Sequence, residues 1–362
     1  MAAQDKDSLT EVRNLEKGIQ NSDAPPDLKE SLLESFFGLE RMRGQANYPQ
    51  QYEQLRRYVD WMTVLPWSKR SDDILDLNYA KKILDKNHYG LEEIKDRILE
   101  YLAVLKMKRE PSAAKAKEGE EGIMKFMRAP ILFFVGLVGT GKTTIAYSIA
   151  EAMGRKFERV PFGGMGDPLY LRGQSRVHPD AEPGQIIKAM KRAGTKNPVI
   201  LLDEIDRVVE ESRATIMGVL VELLDPEQNM AFVDHFLDHP FDLSEVLFIA
   251  TANNTNNIST AVLDRLEPIR MPSYTDEEKI KIGKDYVLPR MIREAGIPSE
   301  GLKIEETVWP KIVRPLGYDA GIRTLERTIN GICRKVAKLM VEGKGKQFIL
   351  TEANIKDFLP TW

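Results

Sequence analysis

The stretch ILFFVGLVGTGKTTIA, residues 131–146, runs from a solid apolar segment through a glycine-rich turn into a helix-like pattern. Gly136, Gly141, Lys142 and Thr143 fit the spacing G-x-x-x-x-G-K-[ST], and Gly139 and Thr144 belong to the same run. A loop of this kind, opening a helix, turns backbone N–H groups and the positive end of the helix dipole toward phosphates. Lys142 is then expected to reach the β- and γ-phosphates of a nucleotide, and the Thr143 hydroxyl to ligate Mg²⁺.

Two further strand ends carry polar groups suited to the same substrate. VILLDEID ends an apolar run on Asp203 and Glu204. Two carboxylates at such a place need compensation, which a metal–phosphate complex supplies. Asp203 is expected to hold the Mg²⁺ shell and Glu204 to polarise the attacking water. VLFIATANN places Asn253 at the end of another apolar run, where it could bond the γ-phosphate or the lytic water.

These residues need elements that hold them at strand ends. ILFFV, VILLD and VLFIAT are continuous apolar segments, as expected of parallel strands covered on both faces. Helix-like segments lie between them, so residues 129–271 read as a three-layer α/β core with a parallel sheet. Residues 1–108 read as an N-terminal helical arm or bundle. There Leu28, Leu32, Phe36 and Leu39 form one stripe after Pro25 and Pro26, with Asp27 as the expected N-cap. A second stripe uses Tyr52, Leu55, Tyr58 or Val59, and Met62, and stops at Pro66. Residues 109–128 are small and charged without periodicity and read as a connector, and residues 272–362 as a small all-helical domain.

Composition narrows the function classes. Lys plus Arg total 52 against 55 Asp plus Glu, so no large net field would attract nucleic acid. One cysteine, Cys333, rules out an internal disulfide framework. No apolar run approaches the roughly 20 residues that span a bilayer. The N-terminus MAAQDKDSLTEVRN lacks the apolar core of a secretory signal, so a cytoplasmic protein is expected. His235 and His239 are spaced i, i+4, but the Glu of H-E-x-x-H is missing and Pro240 suggests an irregular loop.

Phosphate loop, acidic strand end and Asn strand end, followed by a helical domain, resemble the AAA+ ATPases, and more closely the ATPase module of Lon-type proteases. The resemblance runs from about residue 10 to about 359, through YVDWMTVLPW, LDKNHYGLEEIKDRILEYLAV, AGTKNPVILLDEID, LLDPEQN, LFIATAN, LDRLEPI, YTDEEK and DAGIRTLER. It implies ATP as the nucleotide and makes the C-terminal domain a lid. It implies that Arg265 is an arginine finger reaching a neighbouring subunit's nucleotide and that Arg323 is a second sensor touching the γ-phosphate. Tyr89 and Gly90 match the segment that packs around adenine. A finger acting in trans makes assembly part of the mechanism, and the family's ring is hexameric.

Two departures stand out. The family carries an aromatic and an aliphatic residue on a loop facing the central pore, where they grip the threaded polypeptide. In RGQSRVHPDAEPG, residues 172–184, those positions fall on His178 and Pro179, with Asp180 and Glu182 nearby. An imidazole offers less apolar contact, and carboxylates repeated around a ring would repel one another. The loop after Asp206 also lacks the expected Gly-Asp-Pro run. The second departure is the end of the chain at DFLPTW, near the point where the family's Ser–Lys peptidase begins. The sole S-x-x-K, Ser112 to Lys115, lies in the connector.

The resulting expectation is a Mg²⁺-dependent, Lon-like ring ATPase for protein remodelling or regulation, without a peptidase in this chain. One alternative is the motor fragment of a full Lon-type protease that unfolds and translocates proteins. Another is an ATP-gated assembly scaffold with little turnover.

Overall fold

The computed structural model of the chain describes residues 14–42, 44–109, 131–314 and 321–360. The connector assigned to residues 109–128, with Ser112 and Lys115, lies outside them apart from Arg109, which ends a helix. Internal contacts divide the chain into two compact units. The first holds Met1–Leu75, Ala103–Phe133 and Ala150–Pro268; the second holds Asp76–Leu102, Phe134–Ile149 and Ile269–Trp362.

The central sheet is built from β1 (Ile131–Val135), β2 (Phe157–Pro161), β3 (Val199–Asp203), β6 (Leu247–Ala252) and β7 (Leu266–Arg270), in the order β2-β3-β6-β1-β7. Two short strands, β4 (Phe232–Val233) and β5 (Pro240–Phe241), form a separate hairpin. The pairs β2–β3 and β3–β6 are parallel, with Pro161 opposite Asp203 and Leu202 opposite Ala250 at their far ends. Every residue of β3 and of β6 is buried. That is why those segments read as unbroken apolar runs: a parallel strand covered on both faces has no polar side.

The first unit encloses most of this sheet. Helix Gln185–Ala193 buries Ile186, Ile187, Ala189, Met190 and Ala193, and Gly194 closes it in the left-handed region at φ 63. The arm contributes helices Pro26–Glu40 and Tyr48–Val64, and the former buries the expected stripe of Leu28, Leu32, Phe36 and Leu39. Its N-cap, however, is Pro25 and not Asp27. Pro26 occupies the first helical position, where its missing N–H is no loss, and this pushes Asp27 into the first turn, beside the positive end of the dipole. In the second arm helix Tyr58, Val59 and Met62 are buried. Tyr58 donates its hydroxyl to the Leu237 carbonyl at 2.8 Å, and Phe236 meets the rings of Tyr58 and Trp61 edge-on. The arm continues into a pinned strap. Ser71 N–H donates to Asn197 Oδ1, and Arg155 forms a bidentate pair with Asp73 at 2.8 and 2.6 Å, both side chains almost wholly buried.

The second unit has its own core of Trp309, Val308, Ile312, Ile329, Ile332 and Val336. Helices Leu77–Asn87, Asp276–Ile282 and Arg323–Val341 are its main elements. Asp76 caps the first of these, and a capping box between Thr275 and Glu278 starts the second. The helical C-terminal part also contains a parallel pair of short strands, β8 (Leu302–Ile304) and β9 (Phe348–Leu350), which apolar periodicity over three residues cannot reveal.

Candidate functional site

In the second unit β1 ends at Val135, and the loop Gly136–Gly141 leads into helix Lys142–Met153. Gly139 and Gly141 hold φ of 84 and 94, a region glycine enters without penalty. The buried Lys142 ammonium donates to the carbonyls of Gly136 at 2.5 Å and Leu137 at 3.0 Å, so it lies folded over the loop. Thr144 is tied back to the Gly141 carbonyl, while Thr143 is exposed on the first turn of the helix.

Two C-terminal residues clasp this loop from within the same unit. The Ile322 N–H donates to the Gly139 carbonyl at 3.0 Å, and the Tyr274 hydroxyl donates to the Thr140 carbonyl at 3.2 Å. Burial, with the nearby Glu278 charge, pushes the Tyr274 phenol up to about 12, so it stays a neutral donor. Helix Arg323–Val341 therefore starts against the loop. An ideal Cβ on Gly139 would lie 3.3 Å from both the nitrogen and the Cβ of Arg323. Arg323 itself is exposed.

Tyr89 and Gly90 occupy the turn between helices Leu77–Asn87 and Glu92–Arg109, where Gly90 and Leu91 both take positive φ. Tyr89 packs, half-buried, on the second unit's core. Its neighbour His88 was not singled out by sequence reasoning. The His88 ring meets the Ser148 hydroxyl at 2.9 Å, to which Asn87 also donates. Burial and the Lys95 charge lower the His88 pKa to about 4, against a hydrogen bond to the Thr144 backbone. A neutral imidazole thus braces helix Lys142–Met153.

The first unit carries the acids. Asp203 ends β3 almost fully buried, and Arg159 on β2 holds its Oδ2 through Nε at 2.7 Å and Nη2 at 2.6 Å. Its Oδ1 accepts the Thr251 hydroxyl. Glu204 leaves the strand in the left-handed region, φ 58 and ψ 49, a conformation that strains a residue with a Cβ. Its N–H donates to Thr251 Oγ1 at 2.9 Å, and its Oε2 sits 3.1 Å from the Cβ position of Gly163. Arg207 approaches that oxygen only at 3.5 Å. Asn253 lies just beyond β6, with its N–H on Asp206 Oδ2 at 3.1 Å.

Arg265 immediately precedes β7, and its own chain engages it. Nη2 meets Asp225 Oδ2 at 2.6 Å and Nη1 donates to the Ala261 carbonyl at 2.7 Å. Burial raises the Asp225 pKa, but bonds from Arg265 and from the Glu227 backbone outweigh it and leave the carboxyl below its ordinary value.

His178 and Pro179 sit exposed on a loop whose ends, Gly173 and Gly184, converge on Asp234. Gly184 N–H donates to Asp234 Oδ2 at 2.7 Å, and a Cβ on Gly173 would lie 2.7 Å from Oδ1. The Pro179 carbonyl accepts from Arg57 of the arm at 3.1 Å, and the Arg176 guanidinium lies 3.8 Å over the Tyr58 ring. Glu182 pairs with Lys188 at 2.6 Å, so its charge is answered within the chain. Val177 on the same loop is 85% exposed.

A hydroxyl on Thr143 and a carboxylate on Asp203 are hard oxygen donors of the kind Mg²⁺ prefers. Among the described residues no group of three or more His, Cys, Asp or Glu could hold a metal. Sequence reasoning missed Arg159 and Thr251 as well as His88. A hydroxyl residue inside the apolar run VLFIATA was the one available signal for Thr251.

Comparison with known proteins matches residues 132–273 to the ATPase family associated with various cellular activities (AAA). Residues 293–349 match the Lon protease AAA+ ATPase lid domain. The chain is 43% identical over 351 residues to Lon protease 2 of Thermus thermophilus, covering 96% of this chain and 42% of that protein. It is 42% identical to Lon protease of Lawsonia intracellularis, covering 98% of this chain and 40% of that protein. Lon protease 1 of Bacillus subtilis is 41% identical, with coverage of 98% and 44%. The chain thus spans about two fifths of the length of these relatives. Among the described residues no helix is long and apolar enough to cross a membrane.

Proposed function

We propose, for a chain that belongs to the AAA ATPases and carries a Lon-type lid, that it binds Mg-ATP and hydrolyses it to do work on a protein. The observation that carries this reading is the clasp of Ile322 and Tyr274 on the loop 136–143, which starts the Arg323 helix against the same turn as Lys142. A lysine and an arginine that each begin a helix beside one glycine-rich turn suit a polyphosphate.

In this reading Lys142 and Arg323 bind and orient the triphosphate, Thr143 and Asp203 hold Mg²⁺, and Tyr89 and Gly90 flank adenine. Bound Mg²⁺ would neutralise charge developing on the phosphate oxygens. Glu204 accepts the proton of the attacking water, and its weakly engaged carboxylate leaves it able to do so. Asn253 positions that water or the γ-phosphate. Arg265 leaves or shares Asp225 to complete a neighbour's site in a homo-oligomeric ring, which we take to be hexameric. We assign the ring to the cytoplasm and no peptide-bond cleavage to these residues. The arm-tied loop at His178 and Pro179 favours remodelling or regulation over ordinary threading.

The test is ATP turnover by the purified chain with and without Mg²⁺, and with and without an unfolded protein. Glu204→Gln should bind ATP as tightly as the wild type and turn over at least about 100-fold more slowly. Undiminished hydrolysis by that variant would remove Glu204 from its role, and no ATP binding by the wild type in any assembly state would remove the whole reading.

A further inference from the structure

We propose that Thr251 is a positioning residue for the ATPase reaction, holding Glu204 in the one backbone conformation that aims its carboxylate. The inference rests on the reading of Glu204 given above and deepens it.

The β3–β6 ladder supplies backbone partners only as far as Leu202 and Ala250. One residue later on each strand a side chain takes over. Thr251 is fully buried, and its single hydroxyl makes two bonds of opposite polarity. It donates to Asp203 Oδ1 and accepts the Glu204 N–H at 2.9 Å. A hydroxyl has one proton to give. Because Asp203 takes that proton, the oxygen lone pairs must face the Glu204 amide.

That amide belongs to the strained residue. Glu204 sits at φ 58, where the left-handed backbone crowds its own Cβ, and such a conformation persists only when its surroundings over-determine it. The observed hold on its backbone is the hydroxyl of Thr251 and, one turn on, the Arg207 N–H donating to the Glu204 carbonyl at 3.0 Å. Without the hydroxyl, the Glu204 amide and one oxygen of the buried Asp203 lose this partner. Relief comes by rotating Glu204 out of the left-handed region, which swings the carboxylate away from Gly163.

Thr251 also stands two residues before Asn253 on the same strand end. Asp206 Oδ2 receives the N–H groups of Asn253 and Asn254 at 3.1 and 3.3 Å. The segments 203–206 and 251–254 are therefore zipped side by side beyond the ladder, and a shift of Asn253 on meeting a γ-phosphate would be transmitted to the water-activating glutamate through Thr251.

The experiment compares Thr251→Val, which keeps the shape and removes the hydroxyl, with Thr251→Ser, which keeps the hydroxyl. Glu204→Gln serves as the reference. Measured quantities are kcat, the KM for ATP, the Kd for ATP and the melting temperature. Thr251→Val should lose about 10- to 100-fold in kcat, the usual range for a partner one shell out, with KM and Kd within about threefold of wild type. Thr251→Ser should recover at least half of the wild-type kcat. Wild-type kcat in Thr251→Val, or equal loss of kcat, binding and melting temperature in both variants, would overturn the proposal. Glu204→Gln turning over normally would instead remove the reading of Glu204 and take this proposal with it. An inactive Glu204→Gln beside an unimpaired Thr251→Val would remove the proposal alone.

Discussion

Gly321→Ala puts the clasp of Ile322 on the loop 136–141 under direct strain. An ideal Cβ on Gly321 would fall 2.5 Å from the Val138 carbonyl oxygen and 2.6 Å from the Gly139 carbonyl carbon. Both obstacles are backbone, in a turn where Gly139 already sits at φ 84, so no side chain can swing aside. Real Cβ contacts essentially never come below 3.0 Å, so about 0.5 Å or more must be found by backing the start of helix Arg323–Val341 away from the loop. The hydrogen bond from Ile322 to Gly139, now 3.0 Å, stretches with it. Overpacking of this kind costs about 1–3 kcal/mol. If the clasped form is the one that binds ATP, that cost becomes a loss of roughly 5- to 150-fold in affinity. The assay is ATP titration of wild type and variant, with thermal melting alongside. Gly218→Ala is the control. Gly218 lies within helix Arg213–Leu224, nothing stands within 4 Å of its Cβ position, and alanine there should leave ATP affinity unchanged. ATP affinity of Gly321→Ala equal to that of Gly218→Ala would refute the clasp as part of the site.

Two further outcomes are expected. Arg265→Ala and Glu204→Gln should each lack turnover alone, with losses of about 10³-fold or more for the arginine. Mixed before assembly they should regain part of it, because a Glu204→Gln subunit still lends Arg265 to a neighbour whose Glu204 is intact; a mixture as inactive as its components would place Arg265 in its own subunit's chemistry. His88, with its pKa lowered from 6.5 to about 4, binds its proton more readily in the unfolded chain. Stability is therefore complete above the unfolded value and is lost as pH falls toward the folded one, by about 2 kcal/mol at pH 5. His88→Gln should show a smaller drop in melting temperature than wild type between pH 7 and pH 5. Asp234, raised to about 6 by burial, gives the opposite slope but is present in both proteins, so parallel curves would show that His88 is not held neutral.

The sequence determined the elements whose local pattern runs over a whole strand or several helical turns, though not the N-cap at Pro25 or the three-residue strands β8 and β9. The apolar runs of β3 and β6 announced buried parallel strands because both their faces are covered. The arm stripe Leu28, Leu32, Phe36, Leu39 announced the buried face of a helix because helical neighbours recur at three and four residues. Glycines at 139 and 141 were legible because the loop needs φ that other residues resist. What only the tertiary structure decided are partnerships between segments far apart in the chain. Arg159 on Asp203, Thr251 beneath Glu204, Asp225 on Arg265 and Arg57 on the loop at Pro179 span from 40 to 122 positions of sequence. No periodicity encodes such pairs. Local spacing dictates which face a residue shows, and only the packing of whole elements dictates what meets it there.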